Sequence, residues 1–423
     1  MTPRERQTYE ELERTLSRVV DSDLRDAAAR ASEGERLWVL FPEAEAGRAE
    51  ICEALALIPK VCEWNCVRLN LAPLGSTYVH HDDMARALIR WAIDHGAEDA
   101  VARFRTWATQ DYNEVLSFYI LGGVELDEAI ALDGRITAVA FAEFLETHQR
   151  SHYADVLTGL GHPIVARPSA VLIRVADARP KILEPEPGEQ RASRYDFAED
   201  GLLNDIRLLL GATVSSYVGV LGKWATPDTS HPVGSFLSSG GLHMPHDVGF
   251  VVRHQKLKPG VGERFPRRVA QFKTLSANDQ ATVRVALSRL NASRGHRDPV
   301  NRATDLGTAL EAILLSDNRT EQLSLSFRMR GAWFLAAEAS SRRETYERLK
   351  TLYEIRSKAV HTGRLDETCS FGGRRGVPIH EALTWGQEAC EQAIFSVLER
   401  GGLPDWQALV LGLDSGEFES EKS

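Results

Sequence analysis

Cysteine is scarce: the chain of 423 residues holds five, at Cys52, Cys62, Cys66, Cys369 and Cys390. An odd number at irregular spacing makes no disulfide framework, so reduced thiols in the cytoplasm are the expectation. Long apolar runs are missing as well. The longest are strand-length pieces such as Leu37 to Phe41 and Val171 to Val175, well short of the ~20 residues that a membrane span requires. The opening MTPRERQTYEEL has no apolar signal core, so neither export nor membrane contact is expected. No internal repeat is present, and only the last dozen residues are biased toward disorder. A phosphate loop is absent too, because Val220-Leu-Gly222-Lys223 has Tyr217 in place of the first glycine and Trp224 in place of the Ser/Thr.

What remains is ordinary globular material, 43% hydrophobic and 26% charged, in a chain too long for one comfortable core. The net charge of −10 is unevenly spread. Residues 1–250 hold 24 Lys and Arg against 38 Asp and Glu, or 24 − 38 = −14; residues 251–423 hold 26 against 22, or +4. Residues 251–300 alone hold 11 against 3, with Arg267, Arg268, Lys273, Arg284, Arg289, Arg294 and Arg297 close together. Such a run either draws a polyanion or forms a solvated helix face; without a motif beside it, the solvated face is the better reading.

Periodicity divides the chain into a mixed front and a helical back. A helix is expected from residue 7 to about 30, a strand at Leu37 to Phe41, and a helix ending near Pro59. Two more helices follow, from Asp83 to His95 and from Ala97 to about Asp111. Val115 to Leu121 reads as a strand, and Leu126 to Leu132 joins Arg135 to Phe141 through the Asp133-Gly134 turn. Another strand, Ala170 to Ala176, leads to the loop EPEPGEQ (Glu184 to Gln190). From Trp224 to Val248 no element is assigned. Five helices are expected after Ser276, whose spacing to Asp279 is that of a capping box. The second begins near Thr304, and the third covers Leu323 to Ala339. The fourth opens with Ser341 and Glu344 and ends at Gly363; a Gly-Arg loop then leads to the fifth, Ile379 to Arg400. The fold class expected is α+β: residues 1–160 a mixed α/β sensor or regulatory domain, 161–275 an α+β middle region, either separate or continuous with the first, 276–402 an all-α antiparallel bundle, and 403–423 a tail.

The fourth of these helices carries a chemically unusual pair. Its apolar stripe runs Leu349, Leu352, Tyr353, then Arg356, then Ala359 and Val360. An arginine on such a stripe must be paired or reach a cleft, because an unpaired buried charge costs several kcal/mol. His361 follows in the last turn, where the helix C-terminus favours imidazolium, as suits a proton donor. At 100° per residue the two side chains leave the helix about 140° apart.

The run Leu349-Lys-Thr-Leu-Tyr-Glu-Ile-Arg356-Ser-Lys-Ala-Val-His361-Thr-Gly363, with Ala309-Leu310-Glu311 upstream, resembles the HEPN domain (higher eukaryotes and prokaryotes nucleotide-binding), in particular the ApeA-like branch of bacterial anti-phage proteins. The resemblance covers residues 276–402. It implies a bundle of four to five helices and a metal-independent endoribonuclease, acting as a homodimer in abortive infection or as a toxin. No cofactor is involved, and the partners implied are RNA, tRNA included, a second copy and a phage-derived trigger. Arg356 and His361 match the family's catalytic pair. Ser357, Lys358 and Tyr353 would contact RNA or support the pair, and Glu311 would orient Arg356. Ser357 departs from the pattern, since catalytic members often place Asn, Asp or His there. The other readings are a non-catalytic HEPN module that dimerises or binds RNA or nucleotide, and an arginine neutralised by a glutamate beside a helix-capping histidine.

Other polar clusters point elsewhere. His80-His81-Asp82-Asp83 has the look of a metal-dependent phosphohydrolase but lacks nameable further ligands, so a helix cap by Asp82 or Asp83 is favoured. His243, His246 and Asp247 sit in a Gly/Pro segment read as a surface loop, and Cys62 and Cys66 as buried thiols.

Overall fold

A computed structural model describes residues 2–30, 42–71, 76–144, 168–176, 179–183, 200–227, 231–236, 239–242, 255–257, 260–317 and 322–413. Helix α1 (Pro3–Val19) opens with Thr2, whose hydroxyl accepts the Glu5 N–H while the Glu5 carboxylate takes the Thr2 N–H. The single helix expected to reach residue 30 breaks at Val20. The Asp21 carboxylate accepts the Leu24 N–H at 2.9 Å and starts a second helix, α2 (Ser22–Arg30). The strand expected at Leu37 to Phe41 lies outside the described residues. Next come α3 (Pro42–Ala56), the antiparallel pair β1 (Val67–Asn70) and β2 (Ser76–Val79), then α4 (His81–His95) and α5 (Ala97–Thr109), the last two close to expectation.

A six-stranded antiparallel sheet follows, built from β3 (Val115–Gly122), β4 (Ile130–Asp133), β5 (Ile136–Ala140), β6 (Ala170–Val175), β7 (Gly219–Pro227) and β8 (Ser239–Leu242), in the order β8-β7-β3-β6-β5-β4. The expected Asp133-Gly134 hairpin joins β4 to β5, with the Asp133 carboxylate accepting the Arg135 N–H at 2.8 Å. β3 alternates as a strand must. Phe118 and Ile120 meet Val171 and Trp224 on one face, and Val115, Tyr119 and Leu121 join the main core on the other. β7 covers part of the stretch from Trp224 onward, for which the sequence suggests no element.

Two helices lie where no element is assigned from the sequence. α6 (Gly201–Val214) is buried on nearly every side, which erases an amphipathic stripe; Asp200 caps it by accepting the Leu202 and Leu203 N–H groups. α7 (Val261–Thr274) contains Pro266. The C-terminal region is helical: α8 (Ala277–Gly295), α9 (Pro299–Leu314), α10 (Leu323–Leu335), α11 (Ala339–Thr362) and α12 (Ile379–Arg400). Ser276 caps α8 as its spacing to Asp279 foretells, and α12 has the expected limits. α9 starts earlier than expected because Asp298 accepts the Val300 and Asn301 N–H groups with Pro299 behind it. α11 also starts early, at Ala339 with Glu338 in the cap position, so Ser341 is interior and caps nothing, while Glu344 pairs with Arg348.

The bundle is not all-α. Where a Gly-Arg loop was expected, β9 (Thr368–Phe371) and β10 (Arg374–Pro378) form an antiparallel hairpin. Gly372 and Gly373 supply its turn, with φ of +56° and +78° that side chains rarely adopt. One apolar core joins the two halves, from Leu12 and Phe104 through Leu209 to Leu287, Leu310 and Ile394. The molecule is therefore α+β with a helical C-terminal region. Among the described residues no helix is long and apolar enough to cross a membrane.

Candidate functional site

The site is assembled on α11, whose buried side is Leu349, Leu352, Ile355 and Ala359. Arg356 lies at the edge of that side, 28% exposed, and reaches toward α9, where its Nη2 donates to Glu311 Oε2 at 2.9 Å. The approach depends on Gly307. A Cβ at that position would sit 2.2 Å from Arg356 Cγ, so α9 presents a bare backbone surface along which the arginine stem lies. Gly307 is the residue that sequence reasoning missed, and its signal was an isolated glycine inside a helical pattern. Leu306, Leu310, Phe327 and Tyr353 help to enclose a cavity of about 10 Å³ beside the arginine, room for one water at most. Tyr353 is held there against Phe327, ring centroids 5.4 Å apart.

Electrostatically the pair is unequal. Burial pushes the Glu311 carboxyl up from its ordinary value, and Arg356 pulls it back down. The guanidinium is only partly satisfied. Its Nε is buried without a partner, and Nη1 has none among the described residues yet keeps contact with solvent. One face of the cation is thus neutralised and another is free to take an anion.

His361 occupies a different environment. It is exposed in the last turn of α11, and its ring makes no hydrogen bond among the described residues, so it is not the helix cap. That role belongs to Gly363, at φ +63°, whose N–H bonds to the Ala359 carbonyl at 2.9 Å. Val360, expected on the core stripe, is instead 49% exposed between the two candidate residues. Lys358 donates to Asp366 at 2.5 Å in a pair open to solvent, and Ser357 is half-buried. The structure therefore brings together Arg356, Glu311 and Tyr353 in one group. Ser357, Lys358 and His361 lie around the helix from it.

The other sequence signals resolve into structure. The cap of α4 is His80 and not Asp82 or Asp83 as expected; the helix starts two residues earlier, so Asp83 lies in its first turn and its carboxylate accepts the His80 N–H at 3.2 Å, while His81 Nε2 contacts the Val61 carbonyl. No group of three or more metal-ligating side chains occurs among the described residues. His243, His246 and Asp247 lie outside them. Cys62 and Cys66 are free but exposed, not buried as expected, because the turn that carries them lies on the surface. The basic run is largely consumed internally: Arg284 pairs with Asp205, Arg289 with Asp305, Arg294 with Glu391 and Lys273 with Asp133, while Arg268 lies over the Phe395 ring.

No protein-family model, curated protein or solved structure matches the chain.

Proposed function

We propose that the chain is a metal-independent endoribonuclease of the HEPN type, in an anti-phage or toxin setting, with the helical C-terminal region as its nuclease. The observation that carries this reading is the half-free guanidinium of Arg356 on the same helix end as the unbonded, exposed imidazole of His361. An anion-holding group and a proton-transfer group are the two that RNA cleavage needs. His361 takes the proton of a ribose 2′-hydroxyl, the 2′-oxygen attacks phosphorus, and the imidazolium so formed gives that proton to the 5′-oxygen as its bond to phosphorus breaks. The products are a 2′,3′-cyclic phosphate and a 5′-hydroxyl. Arg356 offsets the extra charge on the pentacoordinate phosphorus, and Glu311 fixes its orientation.

The two groups diverge by about 140° around one helix. A homodimer in which each copy completes the other's cleft brings them to one phosphate, and the exposed Val360 between them suits a face that a second copy covers. The test is incubation of the full chain with structured RNA in EDTA, beside Arg356→Ala and His361→Ala variants. Cleavage by the parent alone supports the reading; equal cleavage by the variants, or a strict metal requirement, rejects it.

The Arg356–Glu311 ion pair favours a second reading, a HEPN module that binds RNA or dimerises without chemistry. Intact RNA together with salt-sensitive binding selects it.

A further inference from the structure

Arginines stacked on aromatic rings recur along the seam between α10 and α11. The Arg342 guanidinium lies 3.8 Å from the Trp333 ring centroid, and Arg328 lies 5.2 Å from that of Tyr346. Neither has a carboxylate partner among the described residues, in contrast to the paired arginines of α8. Arg342 Nε donates to the Ala336 carbonyl at 2.9 Å, while Arg328 Nε is buried and unbonded. Arg343 and Lys350 are exposed beside them, also without acidic partners among the described residues.

Helix geometry connects this patch to the candidate site. At 100° per residue, Tyr346, Lys350, Ser357 and His361 fall within an arc of about 60° on α11, a strip about 22 Å long. Glu347 and Glu354 stand at its far edge. Planar cations on aromatic faces, followed by a lysine and ending at an imidazole, match the chemistry of an unpaired polynucleotide strand. Phosphates meet the guanidinium edges, and bases stack on rings and guanidinium planes.

We infer that this strip, Arg328–Tyr346 and Arg342–Trp333 through Lys350 to His361, is a binding track for single-stranded RNA. The inference builds on the ribonuclease reading, since it supplies the path by which substrate reaches His361. A duplex does not suit it, because paired bases offer no open faces for stacking.

The measurement is fluorescence anisotropy of a labelled single-stranded RNA of about 12 nucleotides, 2′-O-methylated so that it cannot be cut, with the full chain in EDTA across a salt series. Arg328→Ala and Tyr346→Ala each weaken binding by about 10-fold. Loss of Arg328 lowers the log–log salt slope by about 0.7. Tyr346→Phe keeps the ring and binds like the parent, whereas Tyr346→Leu does not, a comparison that stands if the alanine variants misfold. Three results overturn the track: no binding by the parent chain, equal binding by folded Arg328→Ala and Tyr346→Leu variants, or preference for duplex RNA. Cleavage is read separately on gels. A chain that binds through the strip and cuts nothing keeps this inference and loses the nuclease; cutting with binding unchanged in the variants does the reverse.

Discussion

At the scale of single residues, buried charge decides most of the behaviour. Arg294 and Glu391 form an ion pair inside the bundle, and Ser215 Oγ adds a hydrogen bond to Glu391 at 3.0 Å. Removing one partner strands the other, so Arg294→Ala lowers stability by about 3–5 kcal/mol, read from the urea midpoint. Lys181 shows the opposite arrangement. Its side chain is 1% exposed between the Trp64 and Trp107 rings and donates to the Trp107 carbonyl. Burial pushes its ammonium down to about 7, with Lys60 pushing the same way and Asp111 opposing. Between that value and the ordinary 10.5 the unfolded chain binds more protons than the folded one, so the cost of burying this lysine fades as pH rises. The parent chain therefore gains stability relative to Lys181→Met between pH 7 and pH 9 in urea titrations; a constant difference across that range contradicts it. Neither residue announced itself in the sequence, because a buried lysine or arginine looks there like a surface one. Arg356 did, since a cation interrupting Leu349-Leu352-Tyr353 breaks the apolar period. Glu311 was legible only through a resemblance that named its helix.

At the scale of elements, two glycines set how closely α9, α10 and α11 approach. Gly307 admits the Arg356 stem, and Gly331 on α10 admits Leu349, whose Cδ1 would lie 2.3 Å from an added Cβ. Gly331→Ala overpacks the α10–α11 contact and costs about 1–3 kcal/mol, visible as a lower denaturation midpoint. Gly307→Ala displaces the guanidinium from Glu311; RNA cleavage is then expected to fall while helix content by circular dichroism stays the same. Elements with a clean stripe or a side-chain cap, such as α4, α5, α8 and α12, are legible in the sequence alone. α6 is not, because burial on all sides leaves no period of 3.6. Nor is the β9–β10 hairpin, whose glycines also fit a loop until Thr368 and Cys369 find Pro378 and Val377 as partners.

At the scale of the whole molecule, polar contacts made by α8 fasten the halves together. Arg284 grips Asp205 on α6 with two bonds of 2.7 and 2.8 Å, Arg294 Nη1 donates to the Gly211 carbonyl, and Asn291 bonds both the N–H and the carbonyl of Val218. Arg284 and Lys273 of the basic run pair with acids of the front half, Arg289 and Arg294 with acids of the C-terminal half, so little of the run is left for a polyanion. Asn291→Ala leaves the Val218 N–H buried and unpaired, while the Val218 carbonyl keeps the Arg207 guanidinium at 2.7 Å, so it destabilises by about 1–3 kcal/mol in calorimetry. The central claim concerns chemistry at α11, and RNA cleavage in EDTA by the full chain, its Arg356→Ala variant and its His361→Ala variant tests it most directly. The account predicts fragments with 2′,3′-cyclic phosphate ends from the parent and intact RNA from both variants. Cleavage that persists in either variant, or that appears only when a divalent metal is supplied, contradicts it.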